Sequence, residues 1–304
     1  MLTAFHDGKI IKGVAEPDTG EHSREMLWIG NAEFKEQTLS EFGFRGGSKI
    51  KHENTCFESH KGFDYLYFLV PSEDLTEPES ERIEIYLADQ TMLLFYDCKS
   101  PIVETWIKMF LSTDEKAGSL IETFLNLLSL LITRYLISLD EIEDKITDLE
   151  DALAEEEDKD YVGEISTLRK RLLILRRYYE CMLALLEDLE ENRNGLLVED
   201  DLRLLHFQTQ KAERLNRNIL NLRDYLTQVR EAYQALLDIE SNKVMKLFTV
   251  ITSIFLPLTL LVGWYGMNLS MPETTSRYTY PIVILVSICI VAAAVIYFKR
   301  KRWF

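Results

Sequence analysis

The side chains able to ligate a metal or attack a substrate are few and widely spaced. The five histidines, His6, His22, His52, His60 and His206, form no i, i+4 pair and no tight cluster, so the usual zinc spacing is missing. The four cysteines, Cys56, Cys98, Cys181 and Cys289, include no C-x-x-C pair, and free thiols are expected rather than a disulfide framework. There is no Gly-rich phosphate loop and no nucleophile elbow. An enzyme reading therefore has no constellation to stand on. What remains are many carboxylates and one notable amide, Asn268, which closes an uncharged run after Gly266 and Met267. Taken alone, an asparagine there reads as a helix C-cap.

The carboxylates are unevenly distributed. The formal net charge is −16 over 304 residues. From Leu247 to Phe304 five basic residues face one acidic residue, Glu273, so residues 1–246 carry −20. Such a body does not suit nucleic acid as a partner, because phosphate binding needs clustered positive charge. It could gather cations, although by charge alone the plain reading is a solvated acidic helix surface.

The elements that would position Asn268 are apolar. No residue from Leu247 to Pro272 is charged, and the run LFTVITSIFLPLTLLVGWYG is long enough to cross a ~30 Å hydrocarbon core as a helix. A second uncharged run, Tyr278 to Phe298, can do the same. Lys243 and Lys246 precede the first run and Lys299 to Arg302 follow the second, so the positive-inside rule puts both flanks in the cytoplasm and the connector outside. Trp264, Tyr265, Tyr278 and Tyr280 sit where an aromatic belt is expected. The N-terminal MLTAFHDGKI is too polar for a signal peptide. Pro257 interrupts the first span and reads as a structural kink. Two spans cannot enclose an aqueous path, so conduction would require several copies around an axis.

Upstream, Leu205, Ala212, Leu215, Ile219, Leu222, Leu226, Val229, Tyr233 and Leu236 form a heptad seam with no breaker before the first span. One helix from about Asp200 to Tyr265 would be about 100 Å long. A second seam runs from Ile165 to Leu189 and ends at Asn192-Arg193-Asn194-Gly195. A third helix is expected over Ser119–Ala154, and the three should pack as an antiparallel bundle. Earlier in the chain Tyr65–Val70, Ile83–Ala88 and Met92–Asp97 read as strands, with a hairpin across Ala88–Thr91. Pro101–Leu111 reads as a helix with proline in its first turn. The fold class is α+β, in three parts: a cytoplasmic α/β domain over 1–115, a long-helix bundle and stalk over 116–246, and a two-helix membrane domain over 247–304.

Tyr265-Gly266-Met267-Asn268 closes the first span, and Met271-Pro272-Glu273 follows in the connector. Together with the approach SNKVMKLFTVITSIFLPLTLLVGWYGMN and the basic tail YFKRKRWF, this resembles the CorA family of magnesium channels. The resemblance implies a funnel-shaped homopentamer in the cell membrane, embedded in lipid, with both termini cytoplasmic and no nucleic-acid partner. It implies a ring of Asn268 at the outer mouth, shaped by Gly266 and Met267. Neutral amide oxygens can hydrogen-bond the water shell that Mg²⁺ sheds reluctantly. The family's pore stripe maps to Met245, Phe248, Thr252, Leu256 and Thr259, whose spacing lies on one helical face. By spacing alone such a stripe reads as packing. Mg²⁺ is then both the transported ion and a regulatory ion bound between cytoplasmic domains, with Glu231 a candidate ligand. Co²⁺ and Ni²⁺ are further candidates as cargo.

The chain departs from the family pattern in two places. Only Leu269 and Ser270 separate GMN from MPE, where the pattern has three residues, and Thr274 follows Glu273 in place of leucine. The rival functions are a zinc transporter of the related branch, which more often has isoleucine where Met267 stands, and a non-conducting membrane-anchored coiled-coil scaffold.

Overall fold

The computed structural model describes residues 2–6, 9–12, 25–32, 35–44, 55–75, 80–97, 100–112, 119–154, 160–267 and 278–301. It divides into two compact units, Met1–Val229 and Arg230–Phe304. The first unit opens with strands β1 (Leu2–His6), β2 (Lys9–Lys12) and β3 (Glu25–Asn31), the short helix α1 (Lys35–Glu41), then strands β4 (Cys56–His60), β5 (Phe63–Pro71), β6 (Ser80–Ala88) and β7 (Thr91–Tyr96). Helices α2 (Pro101–Ser112), α3 (Leu120–Thr133), α4 (Leu136–Ala154) and α5 (Val162–Glu190) follow, then α6 (Glu199–Tyr265), which runs on into the second unit, and α7 (Thr279–Arg300).

The seven strands form one sheet in the order β2-β1-β3-β7-β6-β5-β4. The β6–β7 hairpin pairs Ala88 with Thr91 around Asp89-Gln90, as expected from the sequence. β3 lies parallel to both β1 and β7. β5, antiparallel to β4 and β6, is buried along nearly its whole length. One face carries Phe63, Tyr65, Tyr67, Tyr86, Leu93 and Phe95, closed over by Leu39 of α1. The alternate residues Leu66, Phe68, Ile85 and Leu94 are fully buried on the other face. Gly30 is required beside this cluster. A Cβ there would lie 2.2 Å from the Trp28 ring, which itself packs on Phe95 at 5.2 Å between centroids.

The expected single helix over Ser119–Ala154 is two helices. Ser119 caps α3 by accepting from the Glu122 amide at 3.1 Å, but the helix stops at Arg134-Tyr135 and restarts at Leu136. No glycine or proline marks the break. Tyr178 and Tyr179 of α5 donate their hydroxyls to the Leu131 and Ile132 carbonyls at 3.0 and 2.7 Å, and the Tyr135 hydroxyl donates to the Pro71 carbonyl. The first two bonds satisfy carbonyls at the end of α3 that would otherwise be orphaned, and the third ties the break to the end of β5. Burial holds all three phenols above their ordinary ionisation range, so they remain donors at neutral pH.

Helices α4 and α5 run antiparallel. Ile132, at the end of α3, meets Tyr179 while Glu141 of α4 meets Arg171, so along the α3–α4 run one number rises as the other falls. The turn after α5 uses positive φ at Asn192 (47°) and Gly195 (63°), in line with the expected stop. The Asn194 amide then ties this turn to the β4–β5 hairpin by donating to Asp64 and to the His60 carbonyl. On α6 the seam is buried at Leu205, Ala212, Leu215, Ile219, Leu222, Leu226 and Val229. Tyr233 and Leu236 are only half-buried. The Tyr225 hydroxyl reaches Glu150, close to where α4 ends, and beyond it the seam loses that partner.

Candidate functional site

Among the described residues three stretches are long and apolar enough to cross a membrane: Leu120–Ala154, Glu199–Tyr265 and Thr279–Arg300, with peak mean hydropathies of 1.5, 2.0 and 2.8. They differ in where their apolar side chains go. In the most apolar 18 residues of the first, half are buried inside the protein, against 6% in the corresponding segment of each of the other two. A helix packed into a core needs no lipid. Two apolar helices that leave their side chains uncovered present the large exposed surface that marks a membrane or partner interface. Within the second unit Val250 and Phe298 are buried, while Trp264, Tyr278 and Tyr280 near the helix ends stand exposed. α7 ends with Lys299 and Arg300 in its last turn, where cations complement the helix dipole.

The five stripe residues all lie on α6 and all are exposed, Met245, Phe248 and Leu256 at 62, 62 and 64%. α6 continues helically through Pro257. Thr252, Leu256 and Thr259 line one groove along the helix together with Gly263, Trp264 and Met267. Met245 and Phe248 lie one to two turns earlier and do not line it. The groove also takes in Ile251, Phe255 and Leu260, which the stripe omits. Each of these lies one residue from a stripe position, so a face two residues wide would have found them.

The hydroxyls along this helix are not equivalent. Thr249 donates to the Met245 carbonyl at 2.7 Å and is spent on the backbone. Thr252 and Thr259 make no such hydroxyl bond among the described residues, and both are exposed. The groove therefore offers two unengaged hydroxyls, one turn to either side of Leu256.

At the end of α6 the Gly266 amide donates to the Val262 carbonyl at 2.8 Å. A Cβ on Gly266 would lie 2.8 Å from that same carbonyl oxygen, so the position takes only glycine without a shift of backbone. Met267 follows and is half-exposed, at 51%. Asn268, Met271, Pro272 and Glu273 lie outside the described residues. Glu231 is exposed on α6. Among the described residues no three His, Cys, Asp or Glu side chains form a group able to hold a metal within one chain. Cys56, Cys181 and Cys289 are free thiols. Burial, with Glu58 and Glu84 adding to it, pushes the Cys56 thiol up to about 11, which leaves it inert at neutral pH.

With the geometry in place, the comparison with known proteins decides the family. The model of the CorA-like Mg²⁺ transporter protein family matches residues 50–300. The chain belongs to the CorA-like Mg²⁺ transporter family. It is 28% identical to the cobalt/magnesium transport protein CorA of Thermotoga maritima, over 83% of this chain and 71% of the relative. It is 39% identical to the magnesium transport protein CorA of Haemophilus influenzae over a shorter stretch, 29% of this chain and 27% of the relative. The complete structure of the CorA magnesium transporter from Methanocaldococcus jannaschii shares the fold, with a TM-score of 0.76 at 20% identity over 96% of both chains. The α+β architecture, an N-terminal sheet followed by a long helix, is thus a CorA architecture, and the family is one of transporters.

Proposed function

We propose that this CorA-like chain is one subunit of a divalent-cation channel, a homopentamer in the cell membrane that passes Mg²⁺ inward. Its parts are the cytoplasmic α/β domain (1–115), the long-helix stalk (116–246) and two spans (247–304), with both termini in the cytoplasm and lipid around the spans. The family match carries the cargo class. The observation that carries the pathway is the groove on α6, where Thr252 and Thr259 keep unengaged hydroxyls beside Leu256 and lead to Met267. One face of one helix encloses nothing, but several copies around an axis would turn these faces inward.

The chemistry then runs in order along α6. Asn268 at the outer mouth accepts hydrogen bonds from the waters of hydrated Mg²⁺ without stripping them. A neutral amide holds the ion less tightly than a carboxylate would, so release stays fast. Gly266 lets the helix end tightly enough to bring Met267 and Asn268 to the mouth, and Met271-Pro272-Glu273 forms the outer connector. Further in, Thr252 and Thr259 contact the water shell, while Met245, Phe248 and Leu256 close the path by dewetting. Inward flux is driven by membrane potential, worth about 2.3 kcal/mol per charge per 100 mV. Mg²⁺ bound on the cytoplasmic side, with Glu231 a candidate ligand, favours the closed population. Co²⁺ and Ni²⁺ are proposed as further cargo.

Uptake of Mg²⁺ into liposomes holding the purified chain, read with an entrapped dye, tests this reading. Asn268→Ala is expected to lower the rate by about tenfold or more, the effect of losing one good polar contact per subunit. Undiminished uptake would remove Asn268 from the mechanism, and no uptake of any divalent ion by the unaltered protein would return the chain to the scaffold reading.

A further inference from the structure

Two buried guanidinium groups line a cavity of about 640 Å³ where the loop after β5, the α3–α4 break and the start of α5 come together. The Arg134 side chain is 7% exposed and that of Arg171 10%. Burying a cation is costly unless its donors are met by acceptors. Arg134 is partly served, with an Nη2 bond to Glu81 at 2.8 Å. Its Nε donor is buried without a hydrogen-bond partner among the described residues. Arg171 is served worse. Its Nε is likewise unpartnered, and its nearest carboxylate, the exposed Glu141, stands 3.8 Å from Nη2, beyond hydrogen-bond range. Lys145 and Ser138 add a third cation and a hydroxyl to the same walls, while the Thr167 hydroxyl there is already donated to the Gly163 carbonyl at 2.9 Å.

We infer that this cavity is a binding site for a phosphate-bearing anion. The arginine forks supply the unspent charged donors that a planar or tetrahedral oxyanion accepts. Three carboxylates also line the wall, Glu73 (3.8 Å from Arg134 Nη2), Asp74 and Glu141, but all are exposed, Glu73 and Glu141 at 76 and 57%, so water screens them more than it screens the buried guanidinium groups. Those same exposed acids would suit a magnesium ion carried by the phosphate. The volume exceeds what one inorganic phosphate needs and falls in the range of small-molecule sites, which leaves room for a phosphate with a substituent such as a nucleoside. Occupancy would tie α4 to α5 through Arg171, in a part of the chain distinct from the groove on α6.

Calorimetric titration of the full-length protein in detergent tests the site, at one fixed free Mg²⁺ concentration throughout. The probes are inorganic phosphate and ATP. Binding of either is expected, and Arg171→Gln should weaken it by about tenfold or more. Response to ATP alone assigns a nucleotide, and response to both assigns the phosphate group itself. If Arg171→Gln fails to fold, as judged by its thermal transition, Lys145→Gln and Ser138→Ala carry the same comparison. The inference is overturned if neither probe binds the unaltered protein, in which case the orphaned Nε atoms hold only water. It is also overturned if the folded variants bind as the unaltered protein does. Transport need not be measured, so its failure would leave the channel reading untouched.

Discussion

α3 and the end of α6 are built from nearly the same alphabet of leucine, isoleucine, phenylalanine and threonine, yet they treat it in opposite ways. In α3, Phe124, Leu127, Leu128 and Leu131 are fully buried. In α6, Phe255, Leu256 and Leu260 are 62, 64 and 67% exposed. Hydropathy alone does not separate the two, since the run from Leu120 to Ala154 that begins with α3 and the run that ends α6 are both apolar enough to pass for spans. What separates them is whether the protein itself supplies the apolar partner. α3 has a sheet and α5 beside it, whereas the last turns of α6 leave most of their surface for another solvent or another copy.

The sharpest way to break that contrast is to remove the same ring from both places. Phe124→Ala leaves a cavity in a closed core and should cost about 3–5 kcal/mol, seen as a large fall in the denaturant midpoint of the protein. Phe255→Ala removes a ring that is 62% exposed in the single chain and should move that midpoint far less. Equal losses at the two sites would show that the α6 face is covered as fully as the α3 core, by the chain or by another copy, and the contrast between the two helices would collapse.

A smaller effect probes why α3 stops where it does. Tyr178 gives its hydroxyl to the Leu131 carbonyl, and burial, with Tyr135 and Tyr179 adding to it, holds its ionisation well above the ordinary range. Tyr178→Phe leaves that carbonyl unpaired and should cost about 1–3 kcal/mol. The pH dependence has a definite sign. The raised native value means that the unfolded chain releases its phenol protons first, so stability is fully present below about pH 10 and falls as pH rises past it. Tyr135 and Tyr179, also raised by burial, contribute in the same direction. Chemical denaturation from pH 8 to 11 should show this alkaline decline in the unaltered protein and a shallower one in Tyr178→Phe. An equally steep decline in both would take Tyr178 out of the account.

That pair of tyrosines also shows where sequence reading stops. β5, β6, β7, their hairpin, α2 and the stop after α5 were legible because each is written locally, in β-branched runs, a first-turn proline or an Asn-Gly turn. The Arg134-Tyr135 break was not, because the groups that stabilise it lie 47 residues away. The place of β3 in the middle of the sheet was hidden for the same reason, since its parallel partners β1 and β7 are joined to it through long connections. At the site, the stripe on α6 followed from helical spacing together with the family motif. The difference between Thr249 and its neighbours did not, because all three are threonines in one helix and only hydroxyl rotamers tell them apart.

That last difference gives the finest test. Thr249 already donates to the Met245 carbonyl, so Thr249→Val swaps a satisfied hydroxyl for a methyl of nearly the same shape and should leave Mg²⁺ flux unchanged. Thr252→Val and Thr259→Val remove hydroxyls that the chain leaves unengaged in the groove. If hydrated ions pass there, each loses a water contact worth about 0.5–1.5 kcal/mol, up to about a tenfold fall in flux. The shape change is the same at all three positions, so packing alone predicts three similar results. Stopped-flow influx into liposomes reads the difference. A fall at Thr252 and Thr259 with none at Thr249 assigns the groove to water and ions; equal responses at all three assign it to lipid or helix packing.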